Sequence, residues 1–77
     1  MRKTIRVSGD WVLTTDRPES CYGVPVLVNE ETQEGYGPGD IIEGENIAAA
    51  EFVRWHIDGA ESELVEFGMS FVESLVW

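Results

Sequence analysis

"SELVEFGMSFVESLVW", residues 62 to 77, admits two readings, and the choice between them decides the fold. Read as a strand, Val65, Phe67, Met69 and Phe71 alternate with Glu66, Gly68 and Ser70. Read as a helix, Leu64, Phe67, Phe71 and Leu75 fall at i, i+3, i+7 and i+11 and form one apolar stripe. Glu63, Glu66, Ser70 and Glu73 then line a separate face. Gly68 weakens a helix by up to ~1 kcal/mol relative to Ala. The stripe nevertheless spans about three turns and the acids stay off it. The spacing therefore predicts a helix from about residue 61 to 76.

Working upstream, "ENIAAAEFVRWHIDG" (45 to 59) reads as a first helix over residues 46 to 58. Asn46 suits the N-cap, and Gly59 suits the stop. Ala48, Ala49, Phe52, Val53 and Ile57 gather on one side, with Glu51, Arg54 and Asp58 opposite. Trp55 falls at the border of the apolar face. His56 lies on its apolar side and reads as a core histidine held by one hydrogen bond.

The N-terminal half has strand periods. Ile5 and Val7 alternate with Arg6, and Gly9-Asp10 fits a two-residue hairpin turn before "WVLTT". "YGVPVLVN" (22 to 29) is apolar enough for a third strand, set at an edge or starting after Pro25, which cannot donate to a ladder. The glycines and proline of "EGYGPGD" end regular structure, with a return through Tyr36 left open. The expectation is a single α+β domain over residues 1 to 77. About three antiparallel strands lie between residues 3 and 37, covered by the two helices.

Seventy-seven residues leave room for one small core. Such a chain buries only about 60% of its unfolded surface. The lone Cys21 excludes an internal disulfide and suits a reducing compartment. No run approaches the ~18 apolar residues of a membrane span. The basic opening "MRKTIRVSGDW" has no apolar run behind it, unlike a signal peptide. A cytoplasmic location is expected.

Charge is the most informative quantity. Residues 1 to 17 carry Arg2, Lys3, Arg6 and Arg17 against Asp10 and Asp16, a net of +2. Residues 18 to 77 carry thirteen acids against Arg54 alone, a net of −12. Such a field attracts basic partners and repels phosphate backbones, so direct binding to nucleic acid or an anionic membrane is not expected. The candidate partner-binding acids are Glu51 and Asp58 on the first helix, with Glu61, Glu63, Glu66 and Glu73 on or beside the second. Glu30, Glu31 and Glu34 follow the third strand, and Asp40, Glu43 and Glu45 precede the first helix.

Catalytic and metal chemistry find little support. Cys21 and His56 are the only soft donors, and no second His or Cys stands at ligand spacing. "DIIEGENIAAAE" lacks the alternating oxygen ligands of a calcium loop. The glycines of "EGYGPGD" do not match a phosphate-cradling loop, and flanking acids would repel phosphate. No catalytic residue, cofactor or metal is assigned, and an enzyme is the least favoured class.

Carboxylates at i and i+3 or i+4 stand ~5–6 Å apart, while duplex DNA carries a phosphate every ~3.4 Å along each strand. An acidic helix surface can thus offer phosphate-binding arginines and lysines an alternative set of anions. In size, acidity and segregation of charge the chain resembles the small phage-encoded DNA mimics, the anti-CRISPR and anti-restriction inhibitors. The resemblance implies a non-enzymatic inhibitor acting in the host cytoplasm on a basic protein surface. It carries over no residue roles.

Two alternatives stand beside it. Acids that only solvate the surface, as in a salt-adapted protein, would look the same in composition. The other is an adaptor module that binds a partner through a Trp-bearing apolar edge. Trp11, Trp55 and Trp77 are many for this length, and Trp is favoured at interface hot spots. Trp11 is assigned to the core, and Trp55 joins the acids as a candidate contact.

Overall fold

The computed structural model describes residues 3–20, 22–37 and 45–75, with residues 45 and 46 as backbone only. The expectations for Cys21, Asp40, Glu43 and Trp77, and for the Glu45 side chain, lie outside the described residues.

Four strands, not three, form the sheet. β1 (Thr4–Ser8), β2 (Trp11–Thr14), β3 (Val26–Asn29) and β4 (Gly35–Tyr36) lie side by side in chain order, each antiparallel to the next. Gly9 at φ +57° makes the first turn, a conformation that costs other residues ~1–2 kcal/mol. A register shift between Arg6 and Ser8 marks a bulge on the edge strand β1, which discourages pairing with a further strand. β3 begins directly after Pro25, so the missing N–H falls outside its ladder. β4 has only two residues and is held by the pairs Leu27–Tyr36 and Val28–Gly35.

Both expected helices form, although Asp58, Glu61 and Leu75 lie outside them, and the strand reading of 65 to 71 fails. α1 runs Glu45–Ile57 and α2 runs Ser62–Ser74. Asn46 lies inside α1 and is not its cap. Gly59, at φ +78°, ends α1 as read, while the Ala60 N–H donates to the Ile57 carbonyl at 3.1 Å. Val65 N–H donates to the Glu61 carbonyl at the start of α2, and Leu75 turns extended as its C-cap.

Alternation splits the sheet into two apolar faces. Leu13 and Leu27 face the helices and join Ala49, Ala50, Val53, Ile57, Phe71, Val72 and Leu75 in the main core. Trp11 packs against this core half-buried, as expected. Val12, Val26 and Val28 alternate with Leu13 and Leu27 and form a separate buried cluster that includes no residue of the described helices. Arg17, Glu30 and Gln33 surround them, and Arg17 Nη1–H donates to Gln33 Oε1 at 3.0 Å. Thr14 is the one buried polar side chain described. It shares a 2.7 Å hydrogen bond with Thr4 Oγ1 and accepts one from the Asp16 N–H at 3.0 Å.

The helix faces are rotated from those expected. On α1 the buried set is Ala49, Ala50, Val53 and Ile57, while Ala48 is exposed and Phe52 half-buried. On α2 Gly68, Phe71 and Val72 are buried, leaving Leu64 and Phe67 half-covered on the flank.

Candidate functional site

Rotation of α1 determines what its outer face presents. At about 100° per residue, Glu51, Trp55 and Asp58 fall within roughly a 60° arc opposite Val53. Val53 is completely buried, whereas Trp55 is 80% exposed. Trp55 therefore stands among the acids, not at the border of the apolar face. Glu51 and Asp58 are exposed beside it. An open hollow of about 770 Å³ is lined by Glu51, Arg54, Trp55, Ile57 and Asp58. Arg54 already has an interaction partner. A tryptophan buries about 150–250 Å² when enclosed. Leaving four-fifths of it in water therefore forgoes roughly 3–5 kcal/mol at about 25 cal/mol per Å².

The acids after β3 are set by a loop that satisfies its own backbone. Asn29 Oδ1 accepts from the Glu31 and Thr32 N–H groups at 2.9 and 3.1 Å. The Gln33 N–H donates to the Asn29 carbonyl at 2.8 Å, with Gln33 at φ +65°. Glu30, Glu31 and Glu34 are all exposed on this loop. Glu61, Glu63, Glu66 and Glu73 are exposed on and beside α2.

Two of these acids are taken by cations of the N-terminal block. Arg6 pairs with Glu30 at 2.8 Å, and Lys3 pairs with Glu63. Lys3 Nζ also stands 5.9 Å from the Phe67 ring centroid. Arg17 reaches Glu19 at 3.8 Å as well as Gln33. The described cations of the N-terminal block, Lys3, Arg6 and Arg17, are therefore engaged within the fold. Among the described residues, Glu31, Glu34, Glu51, Asp58, Glu61, Glu66 and Glu73 carry no ion pair. The structure brings Glu51, Asp58 and Trp55 into one site and sets Glu30, Glu31 and Glu34 on a separate loop.

One apolar feature had no sequence signal. Trp11, Tyr36 and Phe52 come together from β2, β4 and α1, with ring centroids 6.2 and 6.0 Å from Trp11. With Leu27, Ala48 and Ala49 they line a cleft of about 220 Å³. His56 joins the cluster 4.4 Å from the Phe52 ring, and its Nδ1–H donates to the Phe52 carbonyl at 2.8 Å. It is half-buried and makes the single hydrogen bond its position on the helix suggests.

Among the described residues no three His, Cys, Asp or Glu side chains gather to hold a metal ion. No buried side-chain nitrogen or oxygen among them lacks a hydrogen-bond partner. No described helix is long and apolar enough to cross a membrane. Comparison with family models, curated proteins and solved structures gives no significant match.

Proposed function

We propose that this protein is a non-enzymatic inhibitor that acts in the cytoplasm by occupying a basic, nucleic-acid-binding surface of another protein, as a DNA mimic does. A host defence complex of the kind phage inhibitors target is the favoured partner. The observation that carries the reading is where the charge is left. The described cations of the N-terminal block are used within the fold, and the unpaired acids all stand in solvent. Like charges at helical spacing each cost the isolated fold a few tenths of a kcal/mol, and a basic partner turns that cost into attraction. Mimicry of a phosphate array needs no active site, cofactor or metal.

The experiment replaces Glu51, Glu66 and Glu73 with Gln and Asp58 with Asn, leaving the paired Glu30 and Glu63 alone. Proteins captured from host lysate by the parent should elute with duplex DNA and with salt, because displaced ion contacts give a steep salt dependence. The fourfold variant should fold and capture them weakly. A second reading, an adaptor module, is favoured by the 80% exposure of Trp55. Capture that ignores salt and DNA, survives the fourfold variant and disappears in Trp55→Ala would establish the adaptor and exclude the mimic.

A further inference from the structure

We propose that the Glu51–Trp55–Asp58 face of α1 receives an arginine side chain of the basic partner, the guanidinium lying flat on the Trp55 indole and hydrogen-bonded to the flanking carboxylates. The proposal rests on the acidic-surface reading above and adds the residue that is recognised and the way it is held.

The chain holds a template for this arrangement. On α2, Glu63 and Phe67 are spaced i, i+4, and one cation engages both: Lys3 pairs with Glu63 and stands 5.9 Å from the Phe67 ring centroid. Glu51 and Trp55 repeat the same acid–aromatic spacing on α1. Among the described residues no cation lies over Trp55. One acid–aromatic pair is filled from within the fold, and the other faces solvent.

Helix geometry makes the second pair a working receptor. Side chains lean toward the helix N-terminus, so the indole covers the turn that carries Glu51. Glu51 is then the nearer carboxylate, with Asp58 one turn the other way, each ~5–6 Å from Trp55 at Cβ. A guanidinium is planar, stacks on an aromatic face and still directs paired N–H groups at a carboxylate. An ammonium does one or the other well. Indole is also a better π acceptor for a cation than the Phe67 ring. The hollow beside Trp55, about 770 Å³ and open, leaves room for the chain that bears the arginine. Arg54 lines the same hollow, so two carboxylates face one resident arginine, and that like charge limits affinity.

The probes are a short arginine–serine repeat peptide and its lysine–serine counterpart, titrated at low salt into the full chain. The Trp55 indole N–H is followed by NMR alongside binding isotherms. The arginine peptide should bind more tightly and shift the Trp55 resonance. Trp55→Leu should weaken it about two- to fivefold, the range of an exposed cation–π contact, and abolish the preference over lysine. Trp55→Phe should retain part of the preference, Glu51→Gln should weaken both peptides, and Arg54→Ala should tighten both. Trp55 is exposed, so unchanged melting of its variants confirms that the fold is intact. Equal, salt-dependent binding of both peptides, unaffected by Trp55→Leu, overturns the arginine site and leaves the acidic-surface reading standing. Absence of binding by either peptide at low salt overturns both.

Discussion

Gly68→Ala tests the packing that sets both core and surface. In an exposed helix this change stabilises by ~1 kcal/mol. Here a Cβ would stand 2.6 Å from Ile57 Cγ2 and 3.0 Å from Val53 Cγ1. Ordinary carbon contacts lie at about 3.5–4.0 Å. Neither neighbour can swing away, because both are β-branched and stiff at χ1 and both are buried, at 8% and 0% exposure. α1 and α2 must therefore separate by about 1 Å, loosening the core around Phe71 and Val72. Overpacking of this kind costs about 1–3 kcal/mol, which outweighs the propensity gain. The net expectation is a loss of up to ~2 kcal/mol, at most roughly 15 °C in melting temperature for a domain of this size. Thermal circular dichroism measures it, with urea melts to check that the m-value is unchanged. In an Ile57→Leu background the branch moves off Cβ, and the Gly68→Ala penalty should shrink. A variant that melts above the parent would refute the close crossing.

Phe71→Ala should cost ~3–5 kcal/mol, as expected for a fully buried ring. Half-buried Phe67→Ala should cost clearly less, and equal losses in urea melts would place the core on the wrong side of α2. Gly9→Ala meets no atom within 4 Å of its Cβ. Its cost should be the backbone strain alone, ~1–2 kcal/mol, and a larger loss would mean that the turn makes contacts not seen here. With a net charge of −10, the melting temperature should rise as salt goes from ~0.01 to ~0.15 M and the Debye length falls from about 30 to about 8 Å. A fall would mean that the exposed pairs Lys3–Glu63 and Arg6–Glu30 outweigh the self-repulsion.

Periodicity carries the element types in this chain because acids and apolar residues separate cleanly along α2, and Gly59 and Pro25 punctuate where they must. It cannot say which flank of an apolar stripe faces inward. Phe67 and Phe71 look equivalent along residues 62 to 77, yet only Phe71 is fully buried, because α1 lies toward Gly68 and Val72. Gly68 reads locally as a weak point. It is the place where another helix comes closest, a property of α1 that residues near Gly68 do not encode. β4 shows no alternation since two residues cannot display a period, and only pairing with β3 defines it. The acids of the site were legible as a count. The partners of Glu30 and Glu63 were not, because Arg6 and Lys3 reach them across the fold from β1.

Trp55 shows how core and surface are one problem in a chain this small. The run Ala48, Ala49, Ala50 is apolar throughout, so at these positions the sequence allows α1 to roll by about one residue at little cost. Contact with α2 removes that freedom. Val53 and Ile57 are the side chains nearest a Cβ at Gly68, and seating both against Gly68 draws Ala49 and Ala50 inward with them. The opposite arc must then carry Glu51, Trp55 and Asp58. The absence of a side chain at Gly68 thus points an indole and two carboxylates into solvent. A change that moves the crossing would alter the binding face without touching any residue on it.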